Sequence, residues 1–594
     1  MRGPALRPSR RLAAALLASL LSLALNVTGL AWGLPGRFHP DEKAGVAAGM
    51  LGERTLVPDS FVNPSLPLLV MAPVIGVQGR LAAAGLLSEP WSDPLLAGRG
   101  LSALAGALAV LLLGLAVARA HPEAAIVAPF LLATAPAVVN LCHFATPEAW
   151  VLLGTSAVLL LCVLHLQGRI PAWGLGIGLG LAASTKYTAA ALVVPTLLAL
   201  WLRDRGPQRR ADRLAWLATG AALVALGLAL ASPPGTRLAA SLHLPDVRLL
   251  HPASARSFVA TLAASALAVG AVALVAAVSE GRTRLFRFVS PLVRIEVVVA
   301  GLAAVGGFLV GTPGAVLAPQ RFLSDLAFNA QTRHEYKGLV GAETSFGPYL
   351  GLLADALSVP VLAAALLGLA VAGVRAWRGG KAAIVVVLAA VVPWVLVASS
   401  GHRALRFVAP VLPAAAWLAA LALTSIRAGG PRRWLTAAVL ARSGFAALLV
   451  VRLFFVDSRL RAEKWMEKNV PRGATVDVIT NHDGYVPRVP EGRQERRLRT
   501  LSREMAPPER FEEAAARYPK EASGWLVLTA AFYERFLENP GQRPERARFF
   551  QDLLEGKAGF TVVARFREEG WRRPAADEFL DPEIVVLRRD PTSR

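Results

Sequence analysis

The chain has 594 residues, 54% apolar and 18% charged, with a positive mean hydropathy, which is too apolar for an ordinary soluble enzyme and too long for one hydrophobic core. Disorder, collagen-like repeats and a small disulfide scaffold are excluded. Residues 456–594 hold 26 Lys and Arg against 24 Asp and Glu, so about +20 of the net +22 falls on the apolar part, which points to membrane topology before nucleic acid.

Stretches of the roughly 17–25 residues that a bilayer crossing needs recur up to residue 455. The expected spans are 12–33, 97–117, 123–141, 149–166, 172–185, 187–202, 213–231, 258–279, 295–311, 347–374, 381–398, 405–424 and 434–455, about 13 transmembrane helices. The first is read as retained, because it runs into Trp32-Gly33-Leu34-Pro35 without a small-x-small cleavage site. Cys142 and Cys162 lie inside apolar runs and read as core residues. Residues 63–87 are also apolar, but Gln78, Arg80 and several prolines and glycines make them a juxtamembrane or partly inserted helix on the outer face.

Basic residues crowd alternate connections: Arg2, Arg7, Arg10 and Arg11; Arg119; Arg169; Arg203, Arg205, Arg209, Arg210 and Arg213; Arg282, Arg284, Arg287 and Arg294; Arg375, Arg378 and Lys381; Arg427, Arg432 and Arg433. The positive-inside rule puts these in the cytoplasm. The N-terminus is then cytoplasmic, and loops 34–96, 232–257, 312–346 and 399–404 and the tail face outward from the cell inner (plasma) membrane. The tail has soluble character: a helix over 457–469, strands at 474–480 and 524–529, loop over 483–510, a helix at 543–555, and strands at 560–566 and 583–587. The expected architecture is an α-helical polytopic membrane domain, residues 1–455, followed by a small α/β extracytoplasmic domain, residues 456–594.

Candidate chemistry clusters on the outer side. His39, Asp41 and Glu42 directly follow the first span. Pro40-Asp41-Glu42 is equally a helix start in which both acids complement the dipole of a helix over 41–51, whereas an ionised Asp there can accept a proton from an attacking hydroxyl. Glu148 opens a span after Thr146-Pro147, again a helix start or an outer-face acid. The cations Arg99, Lys186, Arg403 and Arg406 lie at membrane level, where charge is costly unless paired or used; snorkelling is an equal reading for Arg99 and Arg406. The outer loop 312–346 adds Arg321, Asp325, Arg333, His334, Glu335 and Lys337.

The order of segments carries a resemblance. FHPDE after the first span, NPSLPLLV, the Arg99 span head, FATPE, GLGLAASTKYTA, FLVGTPGAVL before a long outer loop, and RFVAPVLP near the last spans together resemble the GT-C superfamily of integral-membrane glycosyltransferases. Within it the chain is similar to glycosyltransferase family 39, the protein O-mannosyltransferases and the bacterial enzymes that add aminoarabinose to lipid A. The likeness runs over about residues 10–455, and DSRLRAEKWMEKNVPRGATV also looks like the junction to an outer tail domain in bacterial members. The resemblance implies a sugar taken from a polyprenyl-phosphate carrier on the outer face and given to a lipid, glycan or protein acceptor. It implies Asp41 as base, Glu42 as its partner and Glu148 as the second-loop acid, where the family usually has Asp. The leaving phosphate gains negative charge that Arg99, Lys186, Arg403 or Arg406 would stabilise, with His39 a further substrate-binding candidate. Some relatives place a divalent metal near the acids, for which Glu42, His39 and His143 could supply ligands, although their spacing matches no strong metal signature. The family's Gly-His-x-Gly-like segment corresponds to Tyr336-Lys337-Gly338-Leu339-Val340-Gly341, with His334 displaced, and no ligand role is carried over. A lipid-linked-sugar flippase or transporter, or a non-catalytic envelope assembly protein, are the rival readings; the absence of an internal repeat and the clustering of acids on one face favour a transferase.

Overall fold

Long runs of Ala, Leu, Val and Gly with charges held at their ends form helices whose every backbone group is satisfied internally, the solution a bilayer demands. The computed structural model describes residues 8–203, 210–242, 252–278, 292–332, 335–336, 339–340, 345–503, 507–570 and 579–590. Arg2, Arg7, Arg205, Arg209, Arg282, Arg284, Arg287, Arg333, His334 and Lys337 lie outside the described residues. Among the described residues ten helices are long and apolar enough to cross a membrane.

Several of the expected spans divide or stop short for local reasons, and Ile295–Gly311 is a shorter apolar helix of 17 residues. Residues 123–141 divide into Val127–Ala133 and Pro136–Leu141, because Pro136 cannot donate into a continuing helix and Ala135 before it is extended. Residues 347–374 divide into Phe346–Leu357 and Val359–Trp377 at Ser358, whose φ of 73° no helix holds. The helix Ala172–Ala183 stops before Lys186, which is extended and leads into the 3₁₀ turn Tyr187–Leu192. Leu66–Ala83, expected at the surface, is itself long and apolar enough to span. Its Gln78 amide nevertheless donates to the carbonyls of Trp91 and Asp93, at 2.7 and 2.9 Å, and so ties the helix to the loop that follows.

Pro94–Ala120, Glu148–Leu166 and Leu412–Ser425 form the centre of the bundle, and the last of these is buried along nearly its whole length. Ala172–Ala183 packs on Ile295–Gly311 through small residues. A Cβ on Gly176 or Gly180 would fall 2.1 or 2.0 Å from the carbonyl oxygens of Ala300 and Ala304, so the close approach of backbones requires glycine, as in small-xxx-small membrane pairs.

In the 312–346 loop, β1 (Glu335–Tyr336) and β2 (Leu339–Val340) pair antiparallel. The helix Gly430–Val456 then passes through Asp457 into Ser458–Asn469 and the tail sheet. Its strands are β3 (Thr475–Ile479), β4 (Gln494–Arg497), β5 (Trp525–Thr529), β6 (Phe560–Phe566) and β7 (Ile584–Arg589). The order is β4-β3-β5-β7-β6, with β3 parallel to both neighbours and β7 antiparallel to β5 and β6. The stretch 483–510, expected as loop, contains β4. Its sequence QERR has no apolar face to read, because an edge strand is held by backbone pairing with β3.

Candidate active site

The loop after the first long helix is fixed from below. Helix Pro8–Val27 ends in turns in which Gly33 has φ +69° and presses against the Phe38 ring. The next helix begins at Ala44, with Lys43 at its N-cap position, so neither Asp41 nor Glu42 lies in its first turn. The helix-start reading of the acidic pair is therefore set aside.

Glu42 and Arg99 form a two-point ion pair, Nε to Oε1 and Nη2 to Oε2 both at 2.7 Å, with side chains 3% and 1% exposed. The remaining Arg99 nitrogen donates to the carbonyls of Leu30 and Trp32 at 2.7 Å, and Glu42 also accepts the Ala145 N–H at 3.0 Å. Lys43 N–H returns a bond to the Ala145 carbonyl at 2.9 Å. Burial opposes ionisation of Glu42, but the charge and hydrogen bonds of Arg99 outweigh it and hold the carboxyl below its ordinary range. Glu42 is thus committed to joining two loops and a helix.

Asp41, its neighbour, is differently placed. Its carboxylate receives Arg406 at 2.7 Å and is 45% exposed. Burial of the group raises its proton affinity, and the charges of Arg406, Lys43 and Lys186 more than reverse this, so Asp41 is ionised. The Asp41 N–H donates to His39 Nδ1 at 3.2 Å, and the His39 ring is held between Phe144 and Phe579 with centroids at 4.3 and 4.8 Å. Burial lowers His39 to about 4, so the imidazole is neutral with its other nitrogen protonated.

Glu148 opens its helix and receives Lys186 Nζ at 2.5 Å, both side chains being 10% exposed or less. Lys186 reaches it because the chain leaves helical geometry there, and its ammonium also lies 4.9 Å from the Phe407 ring centre. Arg406 stands between Phe407 and Phe579, and Arg403 Nε donates to Ser345 Oγ at 2.8 Å.

His39, Asp41, Glu148, Lys186, Arg403 and Arg406 line one cavity of about 710 Å³, within the range of small-ligand sites. Arg99 and Glu42 lie behind it as support. The proposed metal ligands do not converge: Glu42 is taken by Arg99 and Ala145, His39 Nδ1 by Asp41 N–H, and His143 lies against the carbonyls of Val139 and Thr28 while stacked on Phe454. These three residues do not fit a metal site.

The far wall comes from the tail, whose Asn481, Tyr485, Ala531, Arg535 and Phe579 also line the cavity. Sequence reasoning did not find these, nor Lys43 and His402, although the latter two adjoin residues it named. The tail is seated by Arg459, fully buried, which pairs with both oxygens of Asp457 at 2.8 and 2.9 Å. Arg459 also donates to the carbonyls of Phe38, Gly484 and Phe579, at 3.0, 2.5 and 2.7 Å.

Residues 91–234 match the family described as dolichyl-phosphate-mannose-protein mannosyltransferase. No curated protein matches the chain. Among solved structures, the oligosaccharyltransferase of Archaeoglobus fulgidus is similar with a TM-score of 0.50 and 13% identity, over 91% of this chain and 72% of that one. The same archaeal protein in complex with an inhibitory peptide and a dolichol-phosphate gives 0.48 and 12%, over 90% and 72%. ArnT from Cupriavidus metallidurans bound to undecaprenyl phosphate gives 0.40 and 15%, over 98% of each chain. The likeness to the archaeal structure is one of fold, and the family match covers residues 91–234.

The two acids differ testably. Arg99→Met strands a buried carboxylate and is expected to cost about 3–5 kcal/mol, whereas Asp41→Asn breaks a half-exposed pair worth about 0–1 kcal/mol; thermal unfolding of the two variants in detergent measures the contrast. The His39 shift sets a pH window. The unfolded chain binds a proton near 6.5 and the folded chain only near 4, so this residue's contribution to stability is full above 6.5 and is lost as pH falls toward 4. Melting temperatures of wild type and His39→Gln between pH 4 and 8 should diverge at the upper end and converge below about pH 5.

Proposed function

We propose that the chain is a glycosyltransferase moving a sugar from a polyprenyl-phosphate carrier to a lipid, glycan or protein acceptor of the cell envelope, at the outer face of the cell inner membrane. The observation that supports this most is the single cavity in which a half-exposed, ionised Asp41 shares walls with Lys186, Arg403 and Arg406. The matching family is described by the same donor class, a dolichyl-phosphate sugar. A polyprenyl chain lying among the apolar helices brings its phosphate to these cations.

The acceptor oxygen attacks the anomeric carbon from the face opposite the phosphate, the carbon–phosphate oxygen bond breaks with its electron pair leaving on the phosphate, and the hydroxyl proton passes to Asp41. The configuration inverts. A carboxylate held below its ordinary range is a weak base, which suits an oxocarbenium-like transition state where the acceptor proton is lost late. The departing phosphate gains charge, and Arg403, Arg406 and Lys186 stabilise that charge in a water-poor site. Arg406 is paired with Asp41 before donor binds; drawing it toward the phosphate loosens that pair and makes Asp41 more basic when the acceptor arrives. Glu148 holds Lys186 in position, and Glu42 acts on the reaction only through the loop it fixes.

Mass spectrometry of lipid and envelope-glycan fractions tests the reading. Cells lacking the protein, or carrying Asp41→Asn, should accumulate a polyprenyl-phosphate sugar and show one glycan short of that sugar, and wild type alone should restore it. A wild-type profile from Asp41→Asn would sink the catalytic assignment. Protease added to intact spheroplasts should remove the tail beyond Asp457; protection until lysis would reverse the orientation.

A further inference from the structure

Most of the polar groups on the bundle side of the cavity are already engaged. Asp41 holds Arg406, Glu148 holds Lys186, Arg403 donates to Ser345 Oγ, and His39 Nδ1 receives the Asp41 N–H. The hydroxyls of Tyr187 and Tyr349 donate to the carbonyls of Phe61 and His402, at 2.8 and 2.7 Å. The imidazole of His402 lines the same cavity and makes no hydrogen bond among the described residues.

The position of that ring is nevertheless fixed. Tyr349, fully buried on helix Phe346–Leu357, holds the His402 carbonyl, and the His402 N–H donates to Ser400 Oγ at 3.2 Å. The backbone is thus held on both sides while the ring nitrogens are left uncommitted. The ring stands nearly perpendicular to that of Phe407, at 78° with centroids 4.9 Å apart. The same Phe407 ring has the Lys186 ammonium 4.9 Å and the Arg406 guanidinium 5.7 Å from its centre, and Arg406 reaches Asp41. One phenyl ring therefore gathers the imidazole with two cations of the proposed phosphate site, beside the acid proposed to take the acceptor's proton.

The carboxylates of the cavity only accept hydrogen bonds, and its ammonium and guanidinium groups only donate them; a neutral imidazole does both, one nitrogen each. Burial, with the charges of Arg406 and Lys186, lowers His402 to about 4 against the opposing charge of Asp41, so the ring is neutral at pH 7. A neutral ring adds no charge to a phosphate site, and a lipid tail offers it no partner. The hydroxyls of a sugar, each both donor and acceptor, match it, and the space between the phosphate cations and Asp41 is where a transferred sugar has to lie.

We infer that His402 reads hydroxyl groups of the transferred sugar, donating from one ring nitrogen and accepting at the other, and so helps to set which polyprenyl-phosphate sugar the cavity takes. This deepens the transfer reading and rests on it for the identity of the carrier.

The test uses the purified full chain in detergent, titrated calorimetrically with polyprenyl phosphates bearing mannose, glucose, galactose or arabinose and with the bare polyprenyl phosphate. The quantity read is the affinity for each sugar-bearing lipid relative to the bare one. Wild type should prefer at least one sugar. His402→Phe, which keeps a ring and loses its nitrogens, should cut that preference at least tenfold while affinity for the bare lipid stays within twofold. His402→Gln, whose amide both donates and accepts, should recover part of the loss. No preference in wild type, or the wild-type preference kept in both variants, overturns the inference. If His402→Phe binds neither lipid, His402→Gln decides by the same ratio, a fall supporting the inference and the wild-type value overturning it. Transfer to membranes of the deletion strain separates the two readings. A rise in the half-saturating amount of acceptor membranes with sugar preference unchanged moves the ring to the acceptor and overturns the inference. A preference lost in His402→Phe, from a wild type that transfers no sugar, sinks the transfer reading and leaves the sugar contact standing.

Discussion

The buried pair of Glu42 with Arg99 is the constraint from which the site follows. Two charges taken from water recover their hydration only with full hydrogen bonding, and here both carboxylate oxygens and the terminal guanidinium nitrogens are used. The partners bring together the turn after the first helix, the head of helix Pro94–Ala120 and the loop at Ala145. Asp41, one residue away, inherits a fixed position without being drawn into the pair. Structural support and access to the cavity are thereby divided between adjacent acids.

The cavity carries its charges as ready-made pairs, Asp41 with Arg406 and Glu148 with Lys186. Pairing makes it possible to hold them in a poorly hydrated place before substrate arrives. In the transfer proposed above, a phosphate would compete for these cations, and the more exposed pair, which contains Asp41, would yield first.

Much of this was legible from the chain. Hydropathy located the helical stretches, and the run from FHPDE to RFVAPVLP carried a resemblance that agrees with the family match over residues 91–234 and with the fold shared with the archaeal structure. The break at Ser358 carried only the signal of Pro360 two residues on, and the break before Lys186, within Ser184-Thr185-Lys186, has no proline or glycine to mark it. Asp41 and Glu42 look alike in sequence. They are told apart only by Arg99, 57 positions on, and Arg406, 365 positions on. His39 and Glu42 were reasonable metal ligands by residue type, and only the geometry shows their lone pairs already engaged. The tail wall carried no signal, since Asn481 and Arg535 are ordinary surface residues until the sheet topology turns them toward the bundle.

Arg459 gives the molecule a late step in its assembly. Its guanidinium gathers carbonyls from Phe38, near the beginning of the chain, and from Gly484 and Phe579, near its end. Every acid and membrane-level cation of the site is synthesised before Arg459, yet the cavity has no far wall until the tail has folded and its carbonyls have found that side chain. A nascent or truncated chain would therefore hold its charged groups open to water, where their attraction for a phosphate is weakest. On the transfer reading, the site is complete only when the whole chain is in place.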